Sequence, residues 1–340
     1  MLLSNFKPRP ALVTSTTPLK RPRFPVIDAH NHLYVDYAQL PARRLIDVLD
    51  QAGVWGFVDL DGAWGEDTLY QHLDKLKSAD PQRFRVFGGI DWDQWPTRGD
   101  EFVPWVLERM TEQARRGADG FKVWKNLGLH VRDQHGKLVA IDDPRLDPLW
   151  ATAGALNLPV TFHVADPVAF FDPLDEYNER WEELQAHPDW HFPSPPFPPF
   201  LAIVNAMARV VARHPQTTFI GAHAGCYGEN LAWVADLFDR CPNFYIDISA
   251  RLGELGRQPY TSRRFFLRYV DRILFGLDEF ADPARYQRFY RFLETEDEYF
   301  AYGVGEIPTQ GRWQIYGISL PDEVLEKVYA GNARRIIFER

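Results

Sequence analysis

Val26-Ile27-Asp28-Ala29-His30-Asn31-His32 is an apolar run that ends in two histidines one residue apart. Residues i and i+2 of a β-strand face the same side, so both imidazoles point one way, as two ligands of one metal ion must. Three later runs end in similar chemistry: His163 with Asp166, His223, and Asp278 with Glu279. A lone histidine at a strand end is ordinarily a hydrogen-bonded structural residue, and a single His-x-His is a weak signal. Four of the ten histidines together with a carboxylate form a different pattern. Imidazoles with a carboxylate suit zinc or a similar divalent ion, with an open position left for water. Such an ion can lower the pKa of water from about 15.7 towards about 7.

For those residues to meet, the elements carrying them must be parallel strands of one sheet. Short β-branched or aromatic runs do alternate with helical-period segments along the chain, the mark of an α/β protein. Strands are expected at Pro25 to His32, Val54 to Leu60, Arg85 to Asp91, Gly120 to Lys125, Pro159 to Val164, Thr217 to His223, Phe244 to Ser249 and Arg272 to Leu277. Helices are expected at Pro41 to Gln51, Asp67 to Ser78, Glu101 to Arg116, Asp147 to Leu156, Phe200 to Arg213, Glu229 to Asp239, Ser262 to Tyr269 and Ala284 to Glu294. This is the pattern of a (β/α)8 TIM barrel, whose active sites collect at the C-terminal strand ends. A doubly wound open sheet competes, but the first strand-to-helix turn, Asn31-His32-Leu33-Tyr34, has no glycine-rich phosphate loop.

Residues 1–24 read as a polar, Pro-rich N-terminal extension and 25–340 as the barrel domain. A long insertion after the fifth strand, about 166–199, holds Phe170, Phe171, Trp181, Trp190 and the run Phe192-Pro193-Ser194-Pro195-Pro196-Phe197-Pro198-Pro199. An aromatic loop of that length is expected to be a lid or a subunit contact, and it could join a homo-oligomer interface. The closing segment opens on Ser319, Pro321 and Asp322, a capping pattern, and runs amphipathically to Ile336, so it is expected against the barrel wall.

The net charge of -9 argues against a nucleic-acid or anionic-membrane partner. The only cysteines, Cys226 and Cys241, leave no disulfide framework. Without a stretch long enough to span a bilayer or a secretory signal, a cytoplasmic protein acting on a small molecule is expected.

The sequence resembles the amidohydrolase superfamily, within it the amidohydrolase-related branch that includes aminocarboxymuconate semialdehyde decarboxylase and related lactonases and decarboxylases. The likeness rests on Asp28-Ala29-His30-Asn31-His32, on His163 and His223, on Phe275-Gly276-Leu277-Asp278 and on the closing Gly331-Asn332-Ala333-Arg334-Arg335-Ile336-Ile337-Phe338. It covers about residues 24 to 338. The resemblance implies that His30, His32, His163 and Asp278 bind one divalent metal, zinc by the donor types, with His223 beside it. Binuclear members carry a carboxylated lysine at the end of the fourth strand, where this chain reads Gly120-Phe121-Lys122-Val123-Trp124-Lys125-Asn126. Two lysines of opposite parity are available there. Lys125 is expected to anchor substrate rather than bridge a second metal, and Lys122 to face solvent.

Around the site, Trp92 and Trp124, with Trp64 and Trp95 nearby, are expected to wall a planar or sugar-like substrate. Arg251 and Lys125 could clamp a carboxylate, with a salt bridge from Arg251 to Asp247 or Glu254 as the plainer alternative. The reading is a metal-dependent hydrolase of a small anionic lactone, ester or amide through metal-activated water, with Asp278 and His223 as the catalytic proton carriers. Nonoxidative decarboxylation of an unsaturated or aromatic acid is the alternative. A non-catalytic ligand-binding barrel is the third.

Overall fold

A computed structural model describes residues 9–303 and 308–340; residues 1–8 of the expected extension lie outside the described residues. The apolar runs form strands β1 (Val26–Asn31), β2 (Val54–Gly62), β3 (Phe84–Gly88), β4 (Phe121–Val123), β5 (Val160–Phe162), β6 (Phe219–Gly221), β7 (Phe244–Asp247) and β8 (Ile273–Leu274). They pair in sequence order. All seven pairings are parallel. The ring is closed beyond β8 by two backbone hydrogen bonds, Ala29 N to Phe275 O and Asp278 N to His30 O, both 2.9 Å. A (β/α)8 barrel results, not an open sheet.

Each strand is followed by a helix with one apolar face: α1 (Ala42–Ala52), α2 (Glu66–Ala79), α3 (Phe102–Arg115), α4 (Asp147–Ala155), α5 (Phe200–Arg213), α6 (Leu231–Arg240), α7 (Pro259–Arg268) and α8 (Pro283–Glu294). Gly53 stops α1 in a left-handed turn at φ 79°, a conformation open to glycine at little cost. Pro259 and Pro283 sit at the first helical position, where the missing N–H has no partner to lose.

Two apolar layers result. The larger lies between strands and helices, for example Val26, Phe57, Phe84 and Phe121 against Leu45, Leu76 and Met110. The smaller gathers Ile27, Ala29, Val58, Leu60, Phe87, Ile220 and Leu274 with Ala330, Ala333, Ile336 and Ile337. The closing segment therefore does not lie on the barrel wall as expected. It starts as helix α9 (Asp322–Glu326), continues through π-helical turns Lys327–Gly331 and Arg334–Phe338, and plugs the barrel from below. Its cap also departs from expectation: Pro321 holds the N-cap position, and no side chain caps it. Ile337→Ala is expected to cost about 2–5 kcal/mol in a urea unfolding curve, the range for deleting a buried aliphatic side chain. A loss no larger than that of a surface substitution would rule out the plug.

Between Asp28 and Asn31, β1 advances three residues while its partners on β2, Phe57 and Asp59, are two apart. That bulge resets side-chain parity. Ile27 and Ala29 join the inner layer, yet His30 and His32 also turn to the barrel axis, while Asp28 points outward to Tyr286 Oη of α8 at 2.7 Å. No helix among the described residues is long and apolar enough to cross a membrane.

Candidate functional site

His30, His32 and Asp278 bring one ligand atom each within 4.8 Å of one another at the upper mouth of the barrel. Asp278 Oδ1 lies 3.4 Å from His32 Nε2, and its Oδ2 lies 3.8 Å from His30 Nε2 and 3.6 Å from His223 Nε2. The far nitrogens are anchored: His30 Nδ1 pairs with Asp247 at 2.8 Å and His32 Nδ1 with Asp61 at 2.7 Å. A carboxylate at Nδ1 holds the proton there and turns the Nε2 lone pair towards the centre, the arrangement that metal-ligating histidines need. His223 is set likewise, with Nδ1 3.0 Å from the Ser249 carbonyl oxygen. By donor type and orientation, this set fits a borderline divalent ion.

His163 is placed differently. Its ring lies 4.4 Å from that of His223, but Nε2 bonds Asp166 at 3.2 Å, so Nδ1 is the nitrogen left free. It is not in the three-atom group. Burial lowers His163 to about 4, against the pull of Asp166, and it is neutral at pH 7. Burial also pushes down His30 and, further, His223. Burial would lower His32 too, but the hydrogen bond it donates to Asp61 and the negative charges of Asp278 and Asp61 together outweigh it and leave His32 raised.

The backbone is forced at these strand ends. His223, Ala224 and Cys226 after β6, Ala250 after β7 and Asp278 after β8 all have φ between 50° and 59°. Left-handed geometry at non-glycine residues costs of order 1–3 kcal/mol each and persists where surroundings over-determine it. Gly276 allows the close passage here, because a Cβ would stand 3.0 Å from His30 Cβ and 3.2 Å from Ser249 Cβ.

Lysine placement overturns the expectation for β4. Phe121 and Val123 face the helices, so Lys122 between them points inward; it is 3% exposed, with Nζ 3.2 Å from His30 Nε2. Burial lowers its pKa. An ion held by His30 Nε2 would displace that contact. Lys125 lies beyond the shortened strand, lines the cavity, and is already paired with Asp166. Its charge is therefore engaged before any substrate arrives.

A cavity of about 1000 Å3 opens above the centre. Trp124 and Trp64 line it, their rings 4.8 Å apart, and Phe170 and Trp190 of the insertion stack at 6.2 Å on the same wall. Trp92 does not reach it: 5% exposed, it packs on Trp95 and Phe102 in the outer core. Arg251 lines the cavity, and its one side-chain hydrogen bond among the described residues goes to the Ala250 carbonyl oxygen at 2.9 Å. Neither expected salt bridge forms. Asp247 accepts from His30, from the His223 backbone and from Ser249, while Glu254 pairs with the buried Arg180. Sequence reading gave Asp247, Ser249 and Asp61 no place in this network and turned Lys122 to solvent, although it set Asp166 beside His163 at the end of the fifth strand. The available signal was polar residues at every second position of a strand end, as in Asp247-Ile248-Ser249.

An amidohydrolase family model matches residues 27–338. The chain belongs to the amidohydrolase family. No curated protein matches its sequence. Among solved structures, this amidohydrolase is similar to a dihydroxybenzoic acid decarboxylase from a Polaromonas species with bound manganese and the inhibitor 2-nitroresorcinol: 16% identity, TM-score 0.55, 93% of this chain and 98% of that one covered. It is also similar to 5-carboxyvanillate decarboxylase from Sphingomonas paucimobilis, at 15% identity and TM-score 0.51, covering 86% and 82%. An amidohydrolase from Burkholderia multivorans with bound zinc matches at 14% identity and TM-score 0.54, covering 92% and 99%. At such identities the likeness is one of fold. What the amidohydrolase barrel does in this chain has to come from its own residues.

Proposed function

We propose that this amidohydrolase is a metal-dependent nonoxidative decarboxylase of a planar, aromatic or unsaturated carboxylic acid. The observation that carries the reading is the cavity: Trp64, Trp124, Phe170 and Trp190 wall it, the His30–His32–Asp278 group lies at its floor, and Arg251 has no carboxylate partner within ion-pair distance among the described residues. His30 and His32 through Nε2, His163 through Nδ1 and Asp278 would hold one zinc- or manganese-type ion. When bound, that ion supplies Lewis acidity to substrate oxygens. The aromatic walls orient the ring and exclude water, and Arg251 steers the anionic acid into place. The carbon–carbon bond to the carboxylate breaks, its electron pair stays on the substrate carbon, and a proton taken from water and relayed through the His223–Asp278 pair takes the place of the departing carbon dioxide.

Hydrolysis of a lactone, ester or amide is the second reading. It is favoured by Asp278, whose oxygens stand beside both His32 and His223 and so suit a base that takes a proton from water. Incubation with a panel of aromatic and unsaturated acids, reading carbon dioxide release, separates the two. Release that requires added divalent metal is the expected result; lactone or ester cleavage without it would overturn the proposal. Arg251→Ala is expected to raise KM about tenfold or more, as loss of a charge-assisted contact does, with little change in metal content. Unchanged kinetics would remove Arg251 from substrate binding.

A further inference from the structure

On the β8 side of the cavity, a cluster of charge is not used by the reaction proposed above. Glu279, next to Asp278, accepts from Arg285 Nη1 at 2.8 Å and from Arg288 Nη2 at 3.0 Å, both on the same oxygen, Oε2. Among the described residues neither arginine pairs with a second carboxylate. Two guanidinium groups therefore share one carboxylate, and the cluster keeps one positive charge. All three residues line the same cavity as Arg251, His223 and Asp278. Burial lowers Arg288 from its ordinary value, Glu279 only partly offsets this, and the neighbouring Arg285 pushes the same way. A half-buried guanidinium beside another is stabilised by an anion, and each carries five donors for one.

We propose that Arg285 and Arg288 form a second anion subsite, so that the substrate of this cavity is a dianion: a planar acid with two acidic groups. The inference rests on reading the cavity as the acid-binding site. One group is steered by Arg251 and reacts; the other sits on Arg285 and Arg288 and is retained in the product. The division has a physical reason. A guanidinium that grips the departing carboxylate stabilises the starting state, because that carboxylate loses its charge as carbon dioxide leaves. An ion pair to the retained group is equally strong before and during bond breaking. It adds affinity and orientation without opposing the chemistry.

Calorimetric titration of the purified protein, with and without added zinc, tests this with benzoate as monoanion and phthalate, isophthalate and terephthalate as dianions of three spacings. At least one dicarboxylate is expected to bind about tenfold or more tighter than benzoate, the worth of one charge-assisted contact. Arg285→Gln/Arg288→Gln is expected to erase that preference and leave benzoate binding intact. Glu279→Gln, which frees both guanidinium groups, should enlarge it, so the two variants move in opposite directions and a folding defect cannot imitate both. Equal binding of benzoate and every dicarboxylate, or a preference that survives loss of both arginines, overturns the subsite and leaves the decarboxylase reading standing. A preserved preference without carbon dioxide release from any acid overturns only the reaction. If no acid binds at all, both fall.

Discussion

Asp278→Ala is expected to lower carbon dioxide release by roughly a thousandfold or more, the combined scale of losing a proton carrier and a metal ligand. Among the described residues no other carboxylate stands beside three imidazoles. Its oxygens lie 3.4, 3.8 and 3.6 Å from the Nε2 atoms of His32, His30 and His223. Its backbone is held at φ 50°, with its N–H bonded to the His30 carbonyl oxygen at 2.9 Å, so the carboxylate is aimed by the ring closure itself. Alanine keeps that backbone and removes the charge, leaving neighbouring imidazoles and the Lys122 ammonium without their shared counter-ion. Metal per chain, read by mass spectrometry of the elements, should fall with activity. Asp278→Asn should lie between, since an amide oxygen can still ligate but neither carries charge nor accepts a proton at neutral pH. Full metal content with undiminished turnover in Asp278→Ala would remove this residue from both roles.

Why Asp278 stood out in the sequence while Asp247 was passed over is a matter of how sharply each breaks the apolar pattern. Polar residues that interrupt an apolar run stand out, and His30, His32, His223 and Asp278 each do so at the end of a strand where barrel sites collect. The eight-fold alternation likewise located the eight outer helices α1 to α8, because an outer helix buries a single face and its 3.6-residue period survives in the sequence. The bulge in β1 left no such trace. It depends on how Asp28 and Asn31 pair with Phe57 and Asp59 of another strand, a long-range register. Parity on β4 failed for a related reason. With the strand ending at Val123, Lys125 is no longer governed by alternation, and the inward position passes to Lys122. Contacts such as Lys125 with Asp166, or Arg180 with Glu254, join residues 41 and 74 positions apart, which no local pattern encodes. The π-helical plug was hidden too: its apolar face reads the same whether it meets the outside of a barrel or its lower mouth.

Asp247→Asn is the second large effect, and it separates holding a ligand from being one. Asp247 is fully buried and does not line the cavity above the centre, yet it accepts from His30 Nδ1 at 2.8 Å, the His223 backbone N–H at 3.1 Å, and the Ser249 N–H and hydroxyl at 3.0 and 2.6 Å. Asparagine fits the space but has only one accepting oxygen. Its amide must face either His30 or the donors of Ser249 and His223. Facing His30, it donates to Nδ1, moves the ring proton to Nε2 and blocks the lone pair the ion needs. Metal affinity should fall about 10–100-fold, as when the hydrogen-bond partner of a ligating histidine is lost. Stability should fall as well, by about 1–3 kcal/mol, for the buried donors left unmatched. The pH dependence gives a sharper signature. Burial alone would raise Asp247, but His30, with the bonds from His30 and Ser249, holds it down at about 2, below the ordinary 3.8. A depressed carboxylate contributes stability in full above its ordinary value and loses it as pH falls through the folded one. The gap in urea midpoint between wild type and Asp247→Asn should therefore be widest above about pH 4 and shrink towards pH 2. A gap that stays constant over that window, with metal bound as tightly as before, would show that His30 keeps its tautomer without Asp247.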